Sequence, residues 1–216
     1  MTNTLLQVTK ISETYADSLK PSFNNLPETD HADGKYRLRK YSRVFVSIKT
    51  GITSVSDLKV KEFTQSSKYN KHQGDVQREF VNIDSDTLNS AAMRAMAGVF
   101  RDACNLGERF TMDIHQMRAK CKGGGATQLA PEGWHQDGYD CLAITGVHRS
   151  NIVGGEILLA ASKTEEPFMK AVVGAGTMVI IDDSVLWHNG RSIQPVDEKE
   201  PAWMDVFIFT AKRQHG

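Results

Sequence analysis

The chain has 216 residues, of which 40% are hydrophobic and 24% are charged, an ordinary composition for a soluble globular protein. Its 26 lysine and arginine residues balance its 26 aspartate and glutamate residues, so net charge indicates neither a nucleic acid nor an anionic membrane as partner. The length suits one domain over residues 1–216, and no stretch reaches the ~20 apolar residues that a membrane span needs.

The cysteines and the first residues bear on where the protein works. Cys104, Cys121 and Cys141 form no CxxC pair, which favours reduced thiols over disulfides or metal ligands. Residues 1–10 lack a charged start followed by a long apolar run, so we expect no secretory signal. A cytoplasmic protein is therefore predicted. The sequence leaves the oligomeric state open, with a homodimer as one option.

The first half of the chain is predicted to supply a strand and a helix. Residues 22–35 are polar and rich in turn formers, which indicates a loop. Residues 41–49 alternate and are rich in β-formers, which predicts a strand, whereas residues 63–75 are polar and irregular. A helix with one apolar face is predicted to start near Asp86, a residue that can cap its first turn, and to run towards Cys104.

Short β-like segments separated by turns dominate the second half of the chain. Gly154 and Gly155 mark one of the turns, and Gly174 and Gly176 mark another. The segments are residues 110–117, 141–147, 156–161, 177–181 and 203–211. Several short strands at close spacing indicate a sandwich or a barrel. We therefore expect an α+β chain that is mainly β, with helices packed on one side of a barrel-like core.

One constellation of residues could bind a metal. His135 and Asp137 lie in the segment GWHQDG and would face the same side of an extended strand. His188 lies 51 residues beyond Asp137, at the end of an apolar run. Two histidines and one carboxylate form the facial triad of non-haem iron(II) oxygenases, a donor set that also suits Mn, Co, Ni or Zn. The alternative is that His135 is a loop residue and His188 a partly buried histidine without a metal.

From Arg37 onward, the chain resembles the bacterial iron(II)- and 2-oxoglutarate-dependent dioxygenases that hydroxylate free amino acids, the isoleucine dioxygenase group. Four segments in the same order carry the likeness. They are residues 37–44 (RLRKYSRV), residues 78–83 (REFVNI), residues 115–120 (HQMRAK), and the set formed by residues 134–138, residues 154–155 and His188. The likeness covers about four fifths of the chain and is more specific than the HxD pair alone.

The resemblance implies a double-stranded β-helix of the jelly-roll or cupin-like type, with iron(II), 2-oxoglutarate and dioxygen as cofactor and cosubstrates. It also implies hydroxylation of a small molecule, most simply a free L-amino acid. Arg39 and Arg43, in the YSR segment, would then be candidates to pair a substrate carboxylate. Trp134, directly before a proposed ligand, would wall the metal pocket, although core packing explains it equally well.

The last core strand departs from the pattern of the group. There the group has an arginine directly before an aspartate, and this arginine holds the far carboxylate of 2-oxoglutarate. This chain has Met204 before Asp205, and methionine cannot pair a carboxylate. Either the alignment is shifted, or another basic residue serves, with Arg191 and Arg118 as candidates, or 2-oxoglutarate is not the cosubstrate.

Two other functions remain open at this point. One is a cupin-type metal-dependent oxygenase that does not use 2-oxoglutarate, which Met204 would favour. The other is a non-catalytic barrel that binds a small molecule.

Overall fold

The structure is a computed structural model and describes residues 4–31, 33–69, 74–123 and 125–213. Within these ranges the helices are α1 (Glu13–Leu19), α2 (Ser85–Leu88) and α3 (Ala91–Cys104), with a 3-10 turn at Lys20–Phe23. The strands are β1 (Leu6–Lys10), β2 (Arg37–Lys49), β3 (Ile52–Asp57), β4 (Glu62–Phe63), β5 (Arg78–Glu79), β6 (Arg109–Lys120), β7 (Cys141–Ser150), β8 (Ile152–Gly154), β9 (Glu156–Ala160), β10 (Met169–Val172), β11 (Thr177–Asp182), β12 (Trp187–Gly190), β13 (Ile193–Pro195) and β14 (Trp203–Ala211).

Antiparallel pairing organises these strands into one large sheet and smaller partners. The large sheet has the order β1-β11-β7-β14-β6-β2-β3. Facing it are a three-stranded sheet, β10-β9-β12, and a two-stranded sheet, β13-β8; a short β4-β5 ribbon is a further pair. This two-sheet arrangement is the double-stranded β-helix that the resemblance implies.

The helices cover one face of the large sheet. Met93, Met96 and Phe100 on α3 are fully buried, and they belong to the same core cluster as Phe207 and Phe209 of β14. The apolar residues of α3 recur at helical spacing, so one face of the helix is hidden while the opposite face meets water. This cluster is the main source of hydrophobic stabilisation, and it lies on the opposite face of β14 from the cavity described below.

The other face of the large sheet packs against the small sheets. Leu142 on β7 and Val179 on β11 share a buried cluster with Ile157 and Leu159 of β9. Along β14 the residues alternate: Phe207 and Phe209 face the helices, whereas the residues between them face the small sheets, as the two-residue period of a strand requires. The space left between the sheets is an internal cavity.

Most of the predicted elements are confirmed, with two corrections. The predicted strand at residues 41–49 begins four residues earlier, at Arg37. The predicted helix from Asp86 is two helices, because the chain breaks after Leu88 and Ser90 caps α3 by accepting the Met93 N–H at 3.1 Å. The five predicted β segments of the second half all correspond to strands.

Among the described residues, no helix is long and apolar enough to span a membrane.

Candidate metal centre and active-site cavity

A pair of backbone hydrogen bonds brings the first and last residues of the predicted triad together. The N–H of His135 donates to the carbonyl of His188 at 3.0 Å, and the N–H of His188 donates back to the carbonyl of His135 at 3.0 Å. This isolated bridge joins the GWHQDG segment to β12 and sets the two imidazole rings 4.1 Å apart, centroid to centroid. Two segments that are distant in sequence therefore present their histidines side by side.

Asp137 completes the group. Its Oδ1 lies 3.6 Å from Nε2 of His135, and its Oδ2 lies 3.9 Å from Nε2 of His188. One ligand atom from each residue falls within 4.8 Å of the others, and among the described residues this is the group found that could hold a metal ion. The histidines are buried and the carboxylate is partly exposed, so three donors converge while one side remains open.

The groups in contact with the Nδ1 atoms of the two histidines favour one tautomer of each ring. Nδ1 of His135 lies 2.8 Å from the carbonyl oxygen of Gly133, to which it donates. Nδ1 of His188 lies 3.3 Å from Oδ1 of Asp183. The carbonyl of Gly133 and the carboxylate of Asp183 each favour a hydrogen on Nδ1, which leaves the lone pair of Nε2 free to bind a metal, the arrangement usual for metal-binding histidines.

The sequence did not predict a role for Asp183, although this side chain contacts both the loop that carries Asp137 and the ring of His188. Its Oδ2 accepts hydrogen bonds from the backbone N–H groups of Asp137, Gly138 and Tyr139, at 2.8, 3.0 and 3.3 Å. The side chain is fully buried. The signal in the sequence was a carboxylate inside an apolar run, because a buried carboxylate requires partners to offset its desolvation.

The environment of His135 and Asp137 favours the protonation states that bind metal. Burial lowers the pKa of His135, with the neighbouring His188 adding to the effect. For His188 burial acts in the same direction, but the Asp183 and Asp137 carboxylates outweigh it and raise the pKa. Burial opposes ionisation of Asp137, yet the two histidines and Gln65 overcome it and hold the pKa of this carboxyl below its usual range. A neutral His135 and an ionised Asp137 are the forms that a divalent cation needs.

Two polar side chains adjoin the triad. Nε2 of Gln65 donates to Oδ1 of Asp137 at 3.0 Å and to its backbone carbonyl at 3.1 Å. Oε1 of Glu132 lies 3.4 Å from Nε2 of His135. Both residues line the cavity, so Gln65 orients the carboxylate of the triad while Glu132 adds negative charge beside it.

A cluster of basic residues lines the cavity that also contains the triad, and we call this cluster the basic wall. Its members are Arg37, Arg39, Arg78 and His115. Burial lowers the pKa of His115 well below its ordinary value, and the adjacent arginines add to the effect, so this imidazole is neutral. The arginines therefore make the wall cationic at neutral pH.

The floor of the cavity is mostly apolar, with Glu156 and Thr210 as its polar members. It is formed by residues of β7, β9 and β14, together with Gly155 at the turn before β9. The members on β14 are Met204, Val206, Ile208 and Thr210. Met204 thus points into the cavity at the position where the resembled group has an arginine, and among the described residues β14 offers no basic side chain here.

The structure places the other predicted residues in different surroundings. Arg39 lines the cavity, whereas Arg43 donates from Nε and Nη2 to Asp113, at 2.7 and 3.1 Å. Trp134 is partly buried and is not among the cavity-lining residues.

Arg118 donates from Nε and Nη2 to Asp205, at 2.6 and 2.8 Å, and Arg191 is exposed in a separate surface depression. Neither of the two cosubstrate candidates lines the metal cavity.

Two expectations about the backbone of the site need correction. The GWHQDG segment is not a strand; His135 forms a single bridge within a loop whose shape depends on Asp183. His188 does not end the strand that begins at Thr177, because β11 stops at Asp182 and a turn separates it from β12. The turn allows His188 to lie on β12, in the three-stranded sheet, whereas β11 belongs to the large sheet.

Comparison with known proteins identifies the family. A family model described as 2OG-Fe dioxygenase matches residues 20–210 of this chain. No curated protein sequence matches the chain. The matched region includes the three proposed metal ligands and every strand from β2 to β13, so the family model covers the whole cavity.

Solved structures share the fold. A crystal structure of a bsmA homologue from Methylobium petroleophilum has a TM-score of 0.79 at 21% identity, over 97% of this chain and 89% of that chain. IDO from Bacillus thuringiensis has a TM-score of 0.71 at 15% identity, over 96% and 90%. The Fe(II)/α-ketoglutarate-dependent dioxygenase TqaL has a TM-score of 0.67 at 14% identity, over 98% and 83%. At such low identities these likenesses show the fold alone.

Proposed function

Because this chain belongs to the 2OG-Fe dioxygenase family, we propose that it hydroxylates a free L-amino acid or a similar small molecule that carries a carboxylate. Membership makes the protein a non-haem enzyme that depends on iron(II), 2-oxoglutarate and dioxygen. It favours this reaction over the cupin-type oxygenase and the non-catalytic barrel. The unbroken match supports a single domain, and the three free cysteines are in keeping with a cytoplasmic location.

His135, Asp137 and His188 would hold the iron. Two imidazoles and one carboxylate on one side of the cavity are the donor set that non-haem iron(II) oxygenases use, and the open side leaves room for further ligands. The fit also rests on the orientation of the rings, since Gly133 and Asp183 occupy their Nδ1 atoms. When bound, iron(II) with 2-oxoglutarate and dioxygen supplies the oxidising chemistry, and the protein supplies positioning and exclusion of water.

The observation that carries the substrate proposal is the state of Arg39. Its side chain is buried in the basic wall of the cavity, with the Phe80 ring centroid 5.6 Å from its guanidinium carbon. Nη2 donates to the sulfur of Met117 at 3.4 Å, and among the described residues Arg39 forms no salt bridge with a carboxylate. A buried cation without an anionic partner is costly, so a bound carboxylate would be stabilising here.

The charge on Arg39 persists at neutral pH. Burial lowers the pKa of this guanidinium to about 9, and the nearby Arg37 contributes in the same direction. The same cavity contains the carboxylates of Asp33 and Glu132. A wall that carries both signs of charge suits a zwitterion, whose carboxylate would meet the arginine while its ammonium group meets a carboxylate.

Iron-loaded protein, supplied with 2-oxoglutarate and dioxygen, is incubated in turn with each common L-amino acid. We expect one amino acid, or a few related ones, to stimulate succinate formation and to yield a product heavier by one oxygen atom. Arg39→Leu should lose the stimulation, whereas Arg101→Leu, on the helix across the sheet, should keep it. Oxygenation of peptides but of no free amino acid would contradict the proposal.

A further inference from the structure

2-Oxoglutarate carries a second carboxylate, and the cavity floor lacks the arginine that the resembled group uses to bind it. Met204 occupies that position on β14, and the other residues of β14 that line the cavity are uncharged. Met204 itself cannot pair an anion. If this chain uses 2-oxoglutarate, as the proposed function requires, a basic side chain from another element must reach the same end of the cavity.

Arg149 on β7 is the direct cross-strand neighbour of Met204. Side chains paired across an antiparallel ladder lie on the same face of the sheet. The β7-β14 register shifts between Asp205 and Val206, because β7 carries one extra residue there. This bulge changes the alternation along β7, so that Arg149 shares the cavity face with Met204. Without the extra residue, Arg149 would share the face of Asp205.

The end of the Arg149 side chain lies beside the cavity floor. A Cβ atom added to Gly155 would come within 3.1 Å of Nη1 of Arg149 and within 3.3 Å of the sulfur of Met204. Gly155 has a φ of +72° and lines the cavity with Met204. Arg149 itself is not among the cavity-lining residues, but its guanidinium lies beside Gly155 and the Met204 thioether, which both line the cavity. The thioether can change rotamer at low cost.

The hydrogen bonds of Arg149 are incomplete. Nη2 donates to the carbonyl of Gly154 at 2.6 Å, but Nη1 is buried and has no hydrogen-bond partner among the described residues. A buried donor without an acceptor is destabilising, and a carboxylate would satisfy it. Glu156 is the carboxylate whose charge acts on Arg149; its Oε1 lies 3.7 Å from Nζ of Lys170, and its Oε2 is buried without a hydrogen-bond partner among the described residues. The two cations and one carboxylate leave this corner with a net positive charge.

We propose that Arg149 binds the distal carboxylate of 2-oxoglutarate and so replaces the arginine that β14 lacks. Arg118 is less suited, because its Nε and Nη2 donate to Asp205 on the opposite face of β14 and its guanidinium stacks over Trp203. Arg191 is exposed in the other depression. The basic wall around Arg39 is left for the substrate, so cosubstrate and substrate carboxylates have separate partners.

The test measures binding rather than turnover. Iron(II)-loaded protein is titrated without oxygen against 2-oxoglutarate, and separately against pyruvate, a 2-oxo acid that lacks the distal carboxylate. The visible charge-transfer band gives a Kd for each acid. In Arg149→Leu we expect the Kd for 2-oxoglutarate to rise about tenfold to a hundredfold, because one charged hydrogen-bonded pair is lost. The Kd for pyruvate should be unchanged, and Arg191→Leu should alter neither value.

Two more variants distinguish a specific loss of 2-oxoglutarate binding from a folding defect. Arg149→Lys keeps the charge and should bind 2-oxoglutarate with intermediate affinity, and Arg149→Leu combined with Met204→Arg should recover much of the loss. An unchanged Kd for 2-oxoglutarate in Arg149→Leu, or an equal weakening for both acids, would overturn the assignment. A wild-type protein that binds iron(II) but gives no band with either acid would overturn the use of a 2-oxo acid, and this inference with it.

Discussion

Oδ1 of Asp183 lies 3.3 Å from Nδ1 of His188, while the other oxygen of the same carboxylate accepts three backbone N–H groups of the loop that carries Asp137. One buried side chain thus fixes the orientation of a ligand on β12 and the shape of the loop that bears the carboxylate ligand. Partners of this kind contribute to metal affinity without touching the metal.

Asp183→Asn should weaken iron(II) binding about tenfold to a hundredfold, because the amide cannot serve the imidazole N–H and all three backbone donors as an anion does. Titration of metal-free protein with iron(II) measures the effect. Asp182→Asn is the matched control, since Asp182 pairs with Arg213 and with Ser184 rather than with the triad. Equal iron affinity in wild type and Asp183→Asn would show that this carboxylate does not support the site.

Metal removal should leave the protein folded. The large core cluster between α3 and the sheet does not include the triad, so its packing does not depend on a cation. Adding iron(II) at about 100 times its Kd should raise the free energy of unfolding by about 2.7 kcal/mol. The melting temperature with and without a chelator measures this.

Asp137→Ala and His135→Ala should fold, lose the iron-dependent shift in melting temperature and lose turnover. The variants test the assignment of the ligands directly. Retained turnover in an Asp137→Ala protein that has been stripped and reloaded with iron would contradict it.

Arg39 and Arg43 lie on the same strand but should behave differently. Arg39→Leu should raise KM for the amino acid about tenfold to a hundredfold at unchanged stability, because a charged hydrogen bond to the substrate is lost. Arg43→Leu should leave KM unchanged and cost about 1 kcal/mol in stability, since its half-exposed guanidinium pairs with Asp113. Steady-state kinetics and urea unfolding separate the two effects. A raised KM in Arg43→Leu alone would place the substrate carboxylate elsewhere.

The cap of α3 offers a test of the fold that is independent of the site. Ser90→Ala removes the acceptor for the Met93 N–H and should lower the free energy of unfolding by about 1 kcal/mol. Iron affinity should not change, because α3 lies across the sheet from the cavity. Ser18→Ala serves as a comparison, since the Ser18 hydroxyl is exposed and bonds only to a carbonyl in its own helix. Equal stability of the two variants would argue against Ser90 as the cap.

The features that depend on local sequence pattern could be predicted from the sequence. The segment at residues 203–211 alternates and is β14 in the structure. The order of HxD, GG and distal histidine was sufficient to pick out three residues whose ligand atoms converge. The helix predicted to start near Asp86 does begin there, at Ser85, but the sequence did not predict the break after Leu88, beyond which Ser90 caps α3.

The remaining features depend on pairings between distant parts of the chain. The alternation of Arg118 with apolar residues predicted that its side chain faces the barrel interior. Its partner is instead Asp205, which lies 87 positions away on a neighbouring strand. The orientation of Arg149 depends on a single extra residue in β7, which the sequence does not reveal because strand register is set by the partner strand. Asp183 likewise gains its role from a loop 44 to 46 residues earlier.

The most direct test of the account is the visible absorption spectrum of the protein in the absence of oxygen, recorded after iron(II) is added to metal-free protein and again after 2-oxoglutarate is added. We predict a weak charge-transfer band that requires both additions and that is absent in Asp137→Ala. Confirmed iron binding without such a band would contradict the use of 2-oxoglutarate, and failure to bind iron would contradict the metal centre itself.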